Sequence, residues 1–292
     1  MKLQNALLIG LTCALYSCLA GAAVDAKPAP VPKLTADQIV ERNVNARGGL
    51  AAWRRIRSMS MTGQLDAGRE RTDGGRTAML ASPHTPAERK ALSRKAALGT
   101  GEGTAGKIIQ LPFRLDLQRP RKSRVEVQFK GDTAVQVFDG ANGWKMRPFL
   151  GRREVEKFTA DESRIASQQQ DLDGPLIDYA AKGTRVGVLG GERVDGRNTY
   201  KLKLTLKNGE VRHLWIDAQT FLDVRFEGPA RHFDGKMRTV STYFRDYKQV
   251  DGVMLPYVLE TIVDGVRNTQ KIVIEKIALN PPLDDARFAK PE

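Results

Sequence analysis

Four pairs of turn residues constrain this chain more than anything else in it. Gly131-Asp132, Asp195-Gly196, Asn208-Gly209 and Asp251-Gly252 each stand between two runs in which apolar and polar residues alternate. Such residues tolerate the positive φ that tight hairpin turns require, and period-two alternation marks a strand with one dry face. A chain punctuated in this way is an antiparallel meander. Its clearest unit is Val135–Phe149, where Val135 and Val137 precede Asp139-Gly140-Ala141-Asn142-Gly143 and Trp144 and Met146 follow it. That is a hairpin with one apolar face, carrying a large aromatic inward.

The same grammar predicts strands over 57–65, Ile108–Gln118, Ser123–Lys130, Ala134–Asp139 and Gly143–Phe149. It continues over Thr184–Gly190, Thr199–Lys207, Glu210–Asp217, Leu222–Gly228, Met237–Val250, Val253–Val263 and Thr269–Leu279. Helices are expected in three places. Thr35-Ala36-Asp37-Gln38 has capping-box spacing, and Ile39, Val40 and Val44 then share one side of a helix ended by Gly48-Gly49. Leu50–Ile56, with Trp53, reads as a second short helix, and Thr159–Lys182 as a third stretch, broken at Gly174-Pro175. So many strands and so few helices predict a mainly β (α+β) fold. The expected form is a large curved antiparallel sheet making an incomplete β-barrel, with the helices covering its concave side; a two-sheet sandwich is the rival.

Hydrophobic residues make up 41% of the 292 positions, enough for a substantial core. Residues 1–23 read as a signal peptide: Met1-Lys2, the apolar run Leu3–Leu19, then small residues up to Ala23. Residues 24–33, with Pro28, Pro30 and Pro32, read as a tether, and 34–292 as one domain. Within it, 66–106 is rich in Gly, Ser, Thr, Arg and Lys and reads as a mobile insertion. Both cysteines, Cys13 and Cys18, lie in the leader, so the mature chain is expected to lack thiols. Lipidation at Cys18 is an alternative, which the bulky Tyr16 disfavours. The net charge of +13 does not mark a nucleic-acid partner in an exported protein. Lys201, Lys203 and Lys207 alternate with leucines as the wet face of a strand, and a basic face also suits anionic headgroups.

Catalytic and metal constellations are missing from the pattern. Gly101-Glu102-Gly103-Thr104-Ala105-Gly106-Lys107 satisfies two phosphate-loop spacings, yet Ile108 follows the lysine where Ser or Thr is needed, and a strand follows where a helix is needed. His84, His213 and His232 are too scattered for a metal site, and there is no Gly-x-Ser-x-Gly elbow. Asp171, Asp173 and Asp178 could be imagined as paired catalytic carboxylates, but beside Gly174-Pro175 they read as capping and turning residues. The expectation is a protein that is not an enzyme, with no cofactor and no metal.

The order of several short motifs resembles the periplasmic lipoprotein carriers of the LolA type and the wider group of outer membrane lipoprotein-sorting proteins. These motifs are Phe113-Arg114-Leu115-Asp116-Leu117-Gln118-Arg119-Pro120, Val137-Phe138-Asp139-Gly140 with Trp144, and Leu214-Trp215-Ile216-Asp217 before Phe221-Leu222-Asp223-Val224. Phe244-Arg245-Asp246-Tyr247 and the closing Asn280-Pro281-Pro282-Leu283-Asp284-Asp285-Ala286-Arg287-Phe288 complete the series. The resemblance implies a non-enzymatic periplasmic carrier that shields acyl chains in an apolar half-barrel, with acylated lipoprotein or lipid as cargo and transient contact with membrane components. An envelope protein-interaction or stress-sensing module of the same fold, with a filled core, is the alternative. Phe113, Trp144, Met146, Phe149 and Tyr179 are the expected cavity residues on the first part of the chain. Trp215, Phe226, Phe244 and Tyr257 are those on the second. Arg119, in the place of the carriers' lid-binding arginine, is the expected lid contact. The chain departs from the carriers in lacking their extra C-terminal segment and in carrying the insertion.

Overall fold

A computed structural model describes residues 31–69, 108–148, 152–167, 172–233, 235–265 and 270–292. The leader, most of the tether, the insertion beyond Arg69, the Gly101–Lys107 motif, His84, Phe149 and Asp171 lie outside the described residues.

The chain folds around one antiparallel sheet of thirteen strands that does not close into a barrel. Its first half is a meander: β1 (Ser58–Arg69), β2 (Ile108–Gln118), β3 (Lys122–Phe129), β4 (Asp132–Phe138), β5 (Gly143–Arg147) and β6 (Arg152–Lys157). The second half starts at the other margin with β7 (Arg185–Val194), β8 (Arg197–Thr205), β9 (Val211–Asp217) and β10 (Asp223–Glu227). A small separate hairpin follows, β11 (Arg231–Phe233) with β12 (Lys236–Arg238). Then β13 (Val240–Val250), β14 (Val253–Val263) and β15 (Gln270–Leu279) lead back to pair with β1 and join the halves. The spatial order is β6-β5-β4-β3-β2-β1-β15-β14-β13-β10-β9-β8-β7.

The turns at Asp195-Gly196 and Asp251-Gly252 are as expected, whereas the first turn is Lys130-Gly131, with Asp132 opening β4, and at Asn208-Gly209 only the glycine has positive φ. Lys130, Asp195 and Asp251 all have positive φ and each precedes a glycine that does too, as tight right-twisted hairpins demand. Thr35 caps α1 (Ala36–Ala46) through the expected box: Gln38 donates its backbone N–H to the Thr35 hydroxyl at 3.3 Å, and Thr35 N–H donates to the Gln38 side chain at 3.0 Å. After the Gly48-Gly49 corner, α2 (Leu50–Arg55) carries Trp53 inward. Gly48 has a φ of 104°, and a Cβ there would fall 2.2 Å from the Gly252 carbonyl oxygen, so the corner sits on the β13–β14 turn. We refer to this as the helix end of the sheet.

Several elements differ from the sequence reading. The expected strand Met237–Val250 is divided between β12 and β13, and β11, which pairs with β12, is an additional strand. β1 runs on through Arg69, into the stretch read as insertion. β6 was not foreseen, because Arg-Arg-Glu-Val-Glu-Lys has no apolar face; charged residues suit a sheet margin, which must not recruit other strands. Among the described residues, the expected helical stretch Thr159–Lys182 is helical over α3 (Ala160–Ser167), and 172–183 is a succession of turns. Positive φ at Gly174, Asp178 and Gly183 interrupts any helix there, yet the segment is well packed, with Leu176 and Ile177 fully buried. Topology explains why: β6 and β7 are consecutive along the chain but lie at opposite margins, so the connection must cross the sheet's inner side.

Candidate binding groove

Residues directly opposite each other in an antiparallel ladder point to the same face, so the registers assign every strand residue a side. Leu117, Leu115 and Phe113 on β2 face Met59, Met61 and Gly63 on β1, which in turn face Leu279, Ile277 and Ile274 on β15. Leu259 on β14 opposes Ile272, and Phe244 on β13 opposes Leu259. Phe226 follows on β10 and Leu214 on β9, ending with Leu202 on β8 and Val188 on β7. The result is one apolar inner face running across ten strands, from Val127 on β3 to the β7 margin.

The helix end of this face is sealed. Trp53 of α2 and Ile177 of the crossing segment are wholly buried against Met59, Val253, Leu255 and Ile277. Ile39 and Val40 of α1, together with Leu176, seal Tyr200, Leu202, Leu214 and Ile216. Each such side chain contributes about 1.5–3 kcal/mol by leaving water. Further along, the wall is only half-buried: Met61, Leu65, Leu115, Val127, Leu259 and Ile272 retain part of their exposure.

A few polar links fasten the cover. Arg119 donates to the Ile56 carbonyl at the end of α2 at 2.9 Å and to the Asp173 carboxylate of the crossing segment at 2.8 Å. Asp173, only 2% exposed, also receives the Lys182 ammonium, and Arg47 of α1 donates to the Asp173 carbonyl at 3.0 Å. Arg47 stacks 4.4 Å from the Trp53 ring centroid, while Asn43 donates to Asp223 at 2.9 Å. At the surface, Arg54 hydrogen bonds to Asp178 and holds its carboxyl below the ordinary range. Tyr179 donates to Asp37 at 3.0 Å, a bond that raises its hydroxyl's pKa, with burial adding to the effect. Under α3, Lys145 is 4% exposed and bonds both oxygens of Glu162. Burial pushes the Glu162 carboxyl up, but Lys145 and the Thr159 amide outweigh it and the pKa falls below the usual value.

The nine cavity residues do not come together. Phe113, Phe226, Phe244 and Tyr257 belong to the inner face, and Tyr179 reaches it from the crossing segment. Trp144 and Met146 are on the other side: Trp144 opposes Val137, Val137 opposes Arg124, and Arg124 opposes Asp116, which alternates with the inward Leu115 and Leu117. They pack with Val135, Val137 and the terminal Phe288, which is 1% exposed. Trp215 also lies on the outer face, between Arg225 and Lys201, whose charges stand 4.3 and 4.9 Å from its ring centroid. The inward placement of Trp144, Met146 and Trp215 is therefore corrected, because strand pairing puts their side chains on the opposite face of the sheet. Phe149 is outside the described residues. Asp173, Lys182, Arg47 and the Lys145–Glu162 pair were missed as cover fastenings. The one signal for Asp173 was an acid beside Gly-Pro in an otherwise apolar stretch.

Among the described residues, no group of three or more His, Cys, Asp or Glu is placed to hold a metal. Asp173 and Asp178 are each occupied by cations, and His213 lies 3.3 Å from Glu227 on the outer face. No helix among the described residues is long and apolar enough to cross a membrane.

No family model and no curated protein matches this sequence. Among solved structures, the chain is similar to a DUF1329 family protein from Desulfovibrio piger. The TM-score is 0.51 at 13% identity, covering 87% of this chain and 97% of the other, which shows a shared fold. It also matches a LolA superfamily protein from Nitrosomonas europaea, with TM-score 0.48, 14% identity and coverage of 88% and 99%. A third match is an outer membrane lipoprotein-sorting protein domain from Vibrio parahaemolyticus, with TM-score 0.49, 12% identity and coverage of 87% and 95%.

Proposed function

We propose that this chain is a non-enzymatic periplasmic carrier that shields the acyl chains of lipoproteins or lipids, in outer-membrane lipoprotein sorting, and uses no cofactor. The observation that carries this reading is the partly buried apolar wall of the inner face beside the fastened cover, made of Met61, Leu65, Leu115, Val127, Leu259 and Ile272. An acyl chain laid along it regains about 0.8 kcal/mol for each methylene taken out of water. Phe113, Tyr179, Phe226, Phe244 and Tyr257 are the aromatic contacts available on that side. Arg119 acts as the lid contact, holding α2 and the crossing segment until cargo displaces them. The apolar leader supplies the route to the periplasm.

The fully buried Trp53, Leu176 and Ile177 favour a second reading, a protein-interaction or stress-sensing module whose inner face is filled by its own cover. Delipidated mature protein titrated with a fluorescent fatty-acyl probe separates the two. A carrier takes up the probe in a saturable way and co-purifies with lipid in native mass spectrometry. Absence of both supports the filled module and sinks the carrier.

A further inference from the structure

The hairpin β11–β12 leaves the sheet between β10 and β13, at the end opposite the helix corner. Gly228 N–H bonds the Val240 carbonyl at 2.8 Å beneath it. Its register places Arg231 directly opposite Arg238, and His232 opposite Met237. Like charges facing each other across two strands destabilise a hairpin unless something neutralises them. Several arginines of the large sheet are matched to acids, as in Arg114–Asp116, Arg124–Glu126 and Arg245–Glu260. Among the described residues, neither Arg231 nor Arg238 has a carboxylate within ion-pair distance.

Arg238 is nonetheless held in place. It donates to the Asp264 backbone carbonyl at 2.8 Å and lies along the next turn so closely that a Cβ on Gly265 would fall 2.3 Å from its guanidinium nitrogen. Its Nε is buried and has no hydrogen-bond partner among the described residues. Exposed Lys236 adds a third cation. On the other hairpin face Met237 is 52% exposed, which folding alone does not require of a large apolar side chain.

We propose that this hairpin docks the protein on an anionic membrane surface, with Arg231 and Arg238 together receiving phospholipid headgroup phosphates and Met237 entering the boundary with the acyl chains. Planar guanidinium groups match phosphate oxygens in paired hydrogen bonds. An exposed apolar side chain on the reverse face of the same hairpin selects a lipid surface over a free phosphate, which has nothing for methionine to enter. The inference builds on the carrier reading, since it brings the partly buried end of the groove to the bilayer where cargo is exchanged.

The test is co-sedimentation of the mature full-length protein with phosphatidylcholine vesicles, with and without phosphatidylglycerol, across a salt series. Binding is expected only with phosphatidylglycerol and weakens as salt rises. The double variant Arg231→Gln/Arg238→Gln lowers it at least about tenfold. Arg185→Gln/Lys203→Gln, which removes the same charge from the far strands, leaves it within about twofold. Met237→Ser weakens binding without changing its salt dependence. Equal binding to neutral vesicles, or equal loss in both double variants, overturns the proposal. So does binding of inorganic phosphate or glycerol phosphate by a protein that ignores vesicles. Acyl-probe uptake, followed in parallel without vesicles, is unchanged in all these variants; loss of uptake by the wild type would sink the carrier reading and leave the docking result standing.

Discussion

Asp173→Asn is the sharpest test of how the cover is held. The change is nearly isosteric, but it removes the charge to which Arg119 and Lys182 both point. The carboxylate is 2% exposed, whereas its partners are 18% and 25% exposed, so water screens part of the loss. Breaking a fully buried pair costs roughly 3–5 kcal/mol and an exposed pair under about 1, which places this one near 2 kcal/mol. If the cover opens as a local unit, that figure raises the open population about thirtyfold. Hydrogen exchange over 172–183 should then accelerate by that factor, and stopped-flow probe uptake should speed up. The melting temperature falls by about 4–8 °C if the loss is expressed globally as well. Asp178→Asn is the comparator, because its partner Arg54 is 61% exposed and the pair contributes little. Loss of melting temperature in Asp173→Asn, with exchange over 172–183 and uptake both at wild-type rates, would refute a moving cover and leave Asp173 as an ordinary core contact.

Phe244→Asp, which puts a charge on the half-buried inner wall, should weaken acyl-probe binding by tenfold or more, read by fluorescence titration. Trp144→Ala should lower the melting temperature and leave uptake unchanged, since that ring packs on the opposite face; an uptake defect would contradict the register. Phe288→Ala empties a fully buried site and should cost about 3–5 kcal/mol in denaturant unfolding, again with uptake intact. Glu162 has a folded pKa below its unfolded one, so its pairing with Lys145 stabilises the protein above the ordinary glutamate range, and that stability is lost as pH falls below that range through the lowered folded value. Glu162→Gln should flatten that part of the acid stability curve, and an unchanged curve would remove the pair from the account.

The strand pattern was legible because it is local. Asp195-Gly196 and Asp251-Gly252 make their turns from their own backbone preferences, and Thr35 with Gln38 starts α1 within four residues. The boundaries Ile108–Gln118 and Val253–Val263 follow from the same short-range alternation. β6 escaped because a margin strand needs no apolar face. The turns of 172–183 escaped because buried Leu176 and Ile177 look alike in a helix and in a packed irregular segment.

The amino-acid sequence by itself determined that Val135, Val137, Trp144 and Met146 share one apolar face of a hairpin. Which side of the molecule that face meets was decided only in three dimensions. The answer depends on how β4 pairs with β3 and β3 with β2, and a single residue's shift in any of those registers exchanges the two faces. Alternation records that a face is dry, and it does not record what keeps it dry. Around Trp144 the covering group is Phe288, from the far end of the chain, and the helices cover Phe113 and its neighbours on the other side.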